Sequence, residues 1–312
     1  MAAEIPVVLI AGPTASGKSA LAMALAEEIP AEIVSVDSAQ VYRGMDIGTA
    51  KPSREERALV PHHLIDLCDP SEPYSAARFA VDASRAIAEI RSRGRVPLLV
   101  GGTMLYVRAL LHGLSDLPSA NRELRARLQA EADAHGWPML HARLAKLDPE
   151  AAARLSPNDS QRIQRALEII ELAGEPATHA CRKRAANPSI AGPVLRYAME
   201  FPERAQLHAR IEQRLHQMMR LGFAEEVRAL YERGDLDPDL PSMRSVGYRQ
   251  LWAYFDGQWP LEEAVQRAIF ASRQLAKRQL TWLRSSPEIA RLDPRAPALA
   301  EQVLATLRPL LN

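Results

Sequence analysis

The chain has 312 residues, of which 47% are hydrophobic and 25% charged, with a formal net charge of +1. This is the balance of an ordinary soluble globular protein with room for one large domain or two modest ones, and it excludes a globally basic nucleic-acid binder, so any basic surface is local. Cys68 and Cys181 lack metal-ligand spacing and form no disulfide framework, so free thiols in a reducing cytosol are expected.

The predicted elements begin with "IPVVLIA", a buried strand. The stretch before it has no basic region and the apolar run is short, so neither a signal peptide nor a membrane span is expected and the protein reads as cytoplasmic. "SGKSALAMALAEEI" reads as a helix and "AEIVSVD" as a second strand. "YSAARFAVDASRAIAEIRSRG" is a helix ended by Gly94, followed by the apolar strand "RVPLLVGG". Strands alternating with helices imply a mostly parallel, covered sheet with its ligand at the carboxyl ends of the strands. Gly12, Asp37 and the run Gly101, Gly102, Thr103 all fall there.

From about Ser115 to Pro193 the strand pattern gives way to short helices separated by Pro, Gly and Asn. We expect a first core segment over residues 1–114, a helical insertion over 115–193, and the remainder of the core with C-terminal helices over 194–312. "VLRYAMEF" returns to the sheet, and long helices follow. No repeat and no coiled-coil seam is present in the sequence, and a monomer is the default expectation.

The chemistry is concentrated in Gly12, Pro13, Thr14, Ala15, Ser16, Gly17, Lys18 and Ser19, which have the G-x-x-x-x-G-K-[ST] spacing of a phosphate loop. Glycines let successive backbone N–H groups point inward, the helix opening near Gly17 adds its positive end, and Lys18 reaches the outer phosphates. Ser19 is the candidate ligand of Mg²⁺. The loop follows a strand and opens a helix, the context that this motif requires. The strand "VPLLVGGT" ends in Gly-Gly-Thr and so lacks the carboxylate of a nucleotide hydrolase. Asp37 closes the second strand, placed to act as metal ligand or base. On these residues alone, a small-molecule kinase and other phosphate-handling enzymes stay open.

Five blocks taken together, "GPTASGKSALA", "VSVDSAQVYRGMDIGTAKP", "PHHLIDLCDPSEPYSAARF", "PLLVGGTMLYVRALLHGL" and "MRSVGYRQL", resemble the bacterial tRNA dimethylallyltransferase family. The resemblance runs from Val7 to about Arg284 and implies a P-loop NTPase-like α/β fold with a helical insertion domain. It implies transfer of a dimethylallyl group from dimethylallyl diphosphate to N6 of the adenosine 3′-adjacent to the anticodon in tRNA, with Mg²⁺ present and diphosphate expelled. A free-adenylate prenyltransferase is the nearest alternative, and the insertion argues against it.

Such chemistry calls for charge stabilisation on the leaving group and a carboxylate beside the amine. The resemblance gives Thr14, Thr103 and Arg214 to the diphosphate and Asp37 to the base. It sets Asp37, Ser38, Ala39 and Gln40 against a base extruded from the anticodon loop, with Ser38 and Gln40 carrying donors and acceptors suited to base edges. It assigns tRNA contacts to Gln161, Arg162, Ile163, Gln164 and Arg165, and to Ser242, Met243, Arg244, Ser245, Val246 and Gly247, with the ring of Tyr248 as a stacking surface. Arg273, Lys277, Arg278 and Arg284 form a helix stripe without acids, suited to a phosphate backbone, and "CRKR", residues 181–184, is a second such patch. His62 and His63, Met218 and Met219, and Trp252, Trp259 and Trp282 are read as packing or hydrogen-bonding residues.

Overall fold

The computed structural model describes residues 4–115, 117–183 and 190–311. Its strands are β1 (Val7–Ala11), β2 (Ala31–Val36), β3 (His62–His63), β4 (Val96–Gly101), β5 (Val194–Met199) and β6 (Ala290–Leu292), joined in the order β3-β2-β4-β1-β5-β6. All the pairings among the described residues are parallel. β1, β2 and β4 are buried along their whole length, which is why they read as continuous apolar runs rather than alternating ones. β3 and β6, two and three residues long, lie at the sheet edges and leave too short a pattern to be read from sequence.

In chain order the helices are α1 (Lys18–Glu28), α2 (Arg54–Leu59), α3 (Ala76–Ser92), α4 (Met104–His112), α5 (Arg122–His135), α6 (Trp137–Leu147), α7 (Pro149–Ala153), α8 (Ser160–Ala173) and α9 (Ala177–Lys183). After β5 come α10 (Arg204–Arg220), α11 (Phe223–Tyr231), α12 (Tyr248–Phe255), α13 (Leu261–Arg284) and α14 (Leu299–Leu307). Val8, Ile10, Leu98 and Val100 of the sheet pack with Leu21, Ala22 and Leu25 of α1 and Val303, Leu304 and Leu307 of α14. Each larger side chain so enclosed contributes about 1.5–3 kcal/mol. α3 buries Phe79, Ala83, Ala86, Ile87 and Ile90, one face at helical spacing, and packs on β2 and β4.

The chain divides into two compact units, Met1–Leu110 with Ser189–Asn312, and Leu111–Pro188. The second unit is helical, with its own core of Leu124, Leu128, Leu140, Leu144, Ile163, Leu167 and Ile169. Its turns are set by side-chain caps: Asn121 accepts from Leu124 N at 2.9 Å, and Asp148 Oδ1 accepts from Ala151 N at 2.9 Å. Glu168, fully buried, accepts from Asn121 N (2.8 Å), Arg125 Nε (2.8 Å) and Arg165 Nη1 (2.5 Å). Burial alone would raise the Glu168 carboxyl, but Arg125, Arg165 and the Asn121 N–H together hold it below the usual value.

Candidate active site

β2, β4 and β1 are neighbours, so the loops leaving their carboxyl ends adjoin. Around them opens a cleft of about 1650 Å³, lined entirely by the first unit. Thr14, Lys18 and Ser19 of the phosphate loop, Asp37, Ser38 and Gln40 after β2, and Gly102 and Thr103 after β4 all line it. Arg210 and Arg214 of α10 and Gln279 and Trp282 of α13 complete this wall.

The phosphate loop is held open by its backbone. Ala15 (φ 62°) and Gly17 (φ 91°) are left-handed, which turns N–H groups toward the cleft and starts α1 at Lys18. Gly12 has no room for a side chain: a Cβ there would lie 2.8 Å from Ser16 Oγ and 3.0 Å from Met199 O. Ala15 rests on Phe201, Leu207, Ile211, Ala276 and Leu280, and its carbonyl accepts from Arg210 Nε at 3.0 Å. Ser16 Oγ is buried without a hydrogen-bond partner among the described residues, a donor that the protein itself does not use.

Lys18 Nζ donates to Pro13 O at 2.6 Å. Burial, and then the nearby Arg214 guanidinium, push the Lys18 ammonium down to about 7, with Asp37 pulling it upward. Arg214 is itself lowered by burial and supported by Asp37, and it makes no hydrogen bond to a described residue. Two partly desolvated cations thus face a single carboxylate, an arrangement short of negative charge.

Asp37 Oδ1 accepts from Ala39 N at 2.8 Å and Gln40 N at 3.4 Å, which fixes the carboxyl plane and leaves Oδ2 without a described partner. Thr103 Oγ1 accepts from Ser38 N at 3.0 Å and donates to Ser38 Oγ at 3.3 Å, tying the β4 turn to the β2 turn. Gln40 departs from its expected role as a base-edge reader. Its Nε2 donates to Thr49 O (3.3 Å) and Ala50 O (3.2 Å), and its Oε1 accepts from Ser35 Oγ (2.8 Å). Both amide hydrogens are spent on the turn, so Gln40 shapes the cleft wall instead.

Several expected RNA-facing side chains are interior. Ser242 and Met243 are fully buried, with Ser242 Oγ donating to Pro70 O at 2.5 Å. The Tyr248 ring is also buried; it meets Phe223 edge-on and donates its hydroxyl to Glu226 Oε1 at 2.5 Å, so it offers no stacking face. Arg244, Ser245 and Val246 line the cleft. In the second unit Ile163 belongs to the core, Gln164 Nε2 donates to Arg125 O, and Arg165 binds Glu168 and Pro118 O. Gln161 and Arg162 are exposed on α8. The α13 stripe is not free of acids in space, since Arg273 pairs with Glu212 and Arg284 with Glu200, each at 2.7 Å. Lys277 and Arg278 stay exposed, and Arg278 lines the cleft. Of "CRKR", Arg182 pairs with Glu150 at 2.6 Å, while Arg184 lies outside the described residues.

Sequence reasoning passed over Arg210, Gln279 and Lys51. Lys51 Nζ, almost fully enclosed, donates to Tyr42 O (2.7 Å), Asp46 Oδ1 (2.5 Å) and Asp66 Oδ1 (2.6 Å), bracing the turn that holds Gln40. For Gln279 a signal existed: it is a polar residue on the same helical face as buried Ala276, Leu280 and Leu283. His62 and His63 hydrogen-bond to Val60 O and Glu32, each at 2.7 Å.

The fold and this cradle define a P-loop NTPase-like protein with loop N–H groups and two cations gathered beside a carboxylate. Comparison with known proteins sharpens the class. The family described as "IPP transferase" matches residues 40–286, and "Isopentenyl transferase" matches residues 5–62. A tRNA dimethylallyltransferase of Burkholderia cenocepacia (strain HI2424) is 57% identical over 303 residues, covering 96% of this chain and 94% of the relative. The crystal structure of a full-length tRNA isopentenylpyrophosphate transferase from Bacillus halodurans superposes with a TM-score of 0.71 at 40% identity, over 98% of this chain and 96% of that one. A eukaryotic dimethylallyltransferase acting on tRNA gives a TM-score of 0.79 at 27% identity, over 98% and 79% of the two chains. The chain belongs to the IPP transferase family.

Proposed function

We propose that this protein is a tRNA dimethylallyltransferase that moves the dimethylallyl group of dimethylallyl diphosphate onto N6 of the adenosine 3′-adjacent to the anticodon, releasing diphosphate. The observation that carries this reading is the charge imbalance of the cleft: Lys18 and Arg214 are desolvated against one carboxylate, beside a buried Ser16 hydroxyl without a partner. A diphosphate supplies the missing negative charge.

The exocyclic amine of adenine is a weak nucleophile, so the barrier falls chiefly by stabilising the departing diphosphate. The backbone N–H groups of Ala15, Gly17, Lys18 and Ser19, Ser16 Oγ and the Thr14 hydroxyl donate to its oxygens, the Thr103 hydroxyl joins them on turning from Ser38 Oγ, and Lys18 and Arg214 supply charge. Lys18 Nζ leaves Pro13 O for the outer phosphate. Asp37 Oδ2, unused by the protein, takes the proton from N6 as the new C–N bond forms. The donors present suit Mg²⁺, which keeps waters and substrate phosphates beside one or two protein oxygens: the exposed Ser19 hydroxyl at the start of α1 would hold it. When bound, Mg²⁺ shares the charge of the leaving group.

Ser38 presents a hydroxyl beside the base, and Arg244 with Arg278 supply the cationic rim for the anticodon stem-loop. Exposed Gln161 and Arg162 offer a further backbone contact from the second unit. Among the described residues no helix is long and apolar enough to cross a membrane, and we place the protein in the cytoplasm, acting as a monomer. The test is nucleoside mass spectrometry of unmodified tRNA incubated with the protein, Mg²⁺ and dimethylallyl diphosphate. Adenosine heavier by one dimethylallyl group is expected. Its absence, with steady ATP consumption in a parallel tube, overturns the reading.

A further inference from the structure

Gln279 belongs to none of the sequence motifs, yet its amide joins two of the strand-end loops. It is buried on α13, where Ala276, Leu280 and Leu283 are its buried neighbours on the same face. Oε1 accepts from Thr14 N, in the phosphate loop, at 3.1 Å. Nε2 donates to Gly102 O, in the turn after β4, at 2.8 Å. The fit is close, because a Cβ on Gly102 would lie 2.3 Å from Nε2. From Gly102 the connection continues through Thr103, whose Oγ1 accepts from Ser38 N, to the turn in which Asp37 Oδ1 is anchored. One side chain therefore ties the anion cradle to the segment that carries the carboxylate.

We propose that Gln279 is a positioning residue that fixes the separation between the diphosphate cradle and Asp37, and so couples release of diphosphate to capture of the allyl group by the amine. This rests on the transferase reading above. The physical reason is the steep dependence of group transfer on approach geometry, where a displacement of about 1 Å costs about 100-fold. The cradle keeps its own supports, the Ala15 contacts and the Arg210 bond, when the amide is lost. Diphosphate is then still gripped, but its allylic carbon is held off line from the amine. Water reaches that carbon instead: the C–O bond to diphosphate breaks, a C–O bond to water forms, and the water's proton passes to solvent.

The test compares wild type with Gln279→Met, which keeps length and burial but neither hydrogen bond, and with the isosteric Gln279→Glu, which retains an acceptor for Thr14 N but not the amide donor to Gly102 O. Each is assayed for prenylated tRNA and for released diphosphate, with melting temperature recorded. In either variant kcat for transfer is expected to fall about 10–100-fold, with KM for dimethylallyl diphosphate within about threefold and more than one diphosphate released per prenyl group transferred. Unchanged kcat and one-to-one stoichiometry in a folded variant overturn the proposal. So does a fall in kcat that tracks a lowered melting temperature while the stoichiometry stays at one, since that marks a merely structural amide. If Gln279→Met does not fold, Gln279→Glu decides the matter by the same stoichiometry. A wild type that transfers nothing refutes the transferase reading itself, not this coupling.

Discussion

The two units treat charge in opposite ways. In the helical unit the buried carboxylate of Glu168 is met by Arg125, Arg165 and the N–H of Asn121, and Asp148 accepts from Ala151 N and Thr178 N. At the strand ends of the first unit, Lys18 and Arg214 are desolvated without matching carboxylates, Ser16 Oγ is orphaned, and Asp37 keeps one oxygen unused. The chain thus completes one interior with its own groups and leaves the other to be completed by a ligand. A buried polar group that the protein satisfies contributes to stability, while one left unsatisfied at the edge of a cleft offers a contact to a ligand.

The sharpest way to break this contrast is Asp37→Ala. Transfer is expected to fall by about 10²–10⁴-fold, the usual share of a positioned base, with only the stability loss of about 0.5–2 kcal/mol that follows from losing the Ala39 and Gln40 contacts; lowered stability with transfer intact would make Asp37 a cap only. Lys18→Ala should lower kcat/KM by about 10²–10³-fold through loss of leaving-group stabilisation, again without loss of fold, as steady-state kinetics would show. Glu168→Gln should act in reverse. It removes the charge that Arg125 and Arg165 pair with and costs about 1–3 kcal/mol, read as lowered thermal stability and faster amide exchange in α5 and α8.

Acid and base separate the units further. The Glu168 carboxyl is held below its usual value, so its stabilisation is complete above about pH 4.5 and is lost as pH falls through the depressed value, which a melting series in acid would follow. Lys18 near 7 is protonated below that pH and neutral above it. Affinity for dimethylallyl diphosphate, titrated without RNA, should therefore weaken by up to about tenfold per pH unit above pH 7. Constant affinity to pH 9 would show that the Lys18 ammonium stays protonated over that range. The smallest effect is expected at Arg162, exposed beside Asp159 at 3.4 Å. Arg162→Ala should shift stability by no more than about 0.5 kcal/mol, while tRNA affinity, by filter binding, falls a few-fold and loses some of its salt dependence.

The parallel sheet was legible because β1, β2 and β4 are buried along their whole length and alternate with helical patterns. The phosphate loop was legible because its spacing is dictated by backbone geometry within eight consecutive residues. Edge strands β3 and β6 were not, being too short to carry a period. What sequence spacing could not convey was the direction of side chains whose partners lie far along the chain. Gln40 looks like a base reader until Thr49 O and Ala50 O are found on its amide. Tyr248 looks like a stacking ring until Phe223 and Glu226 enclose it. Arg273 and Arg284 look like a basic stripe until acids from other elements reach them. Each of these contacts is tertiary, and residue type alone is neutral between reading a ligand and bracing a wall.

The floor beneath Ala15 carries a consequence for how the protein is made. The phosphate loop leaves the ribosome early, but Phe201, Leu207 and Ile211 follow some two hundred positions later, and Ala276, Leu280 and the amide of Gln279 later still. Strand β4 must also slip between β1 and β2 before the three turns adjoin. During translation the nascent loop is therefore a sequence motif whose floor, from Phe201 to Leu280, has yet to be made.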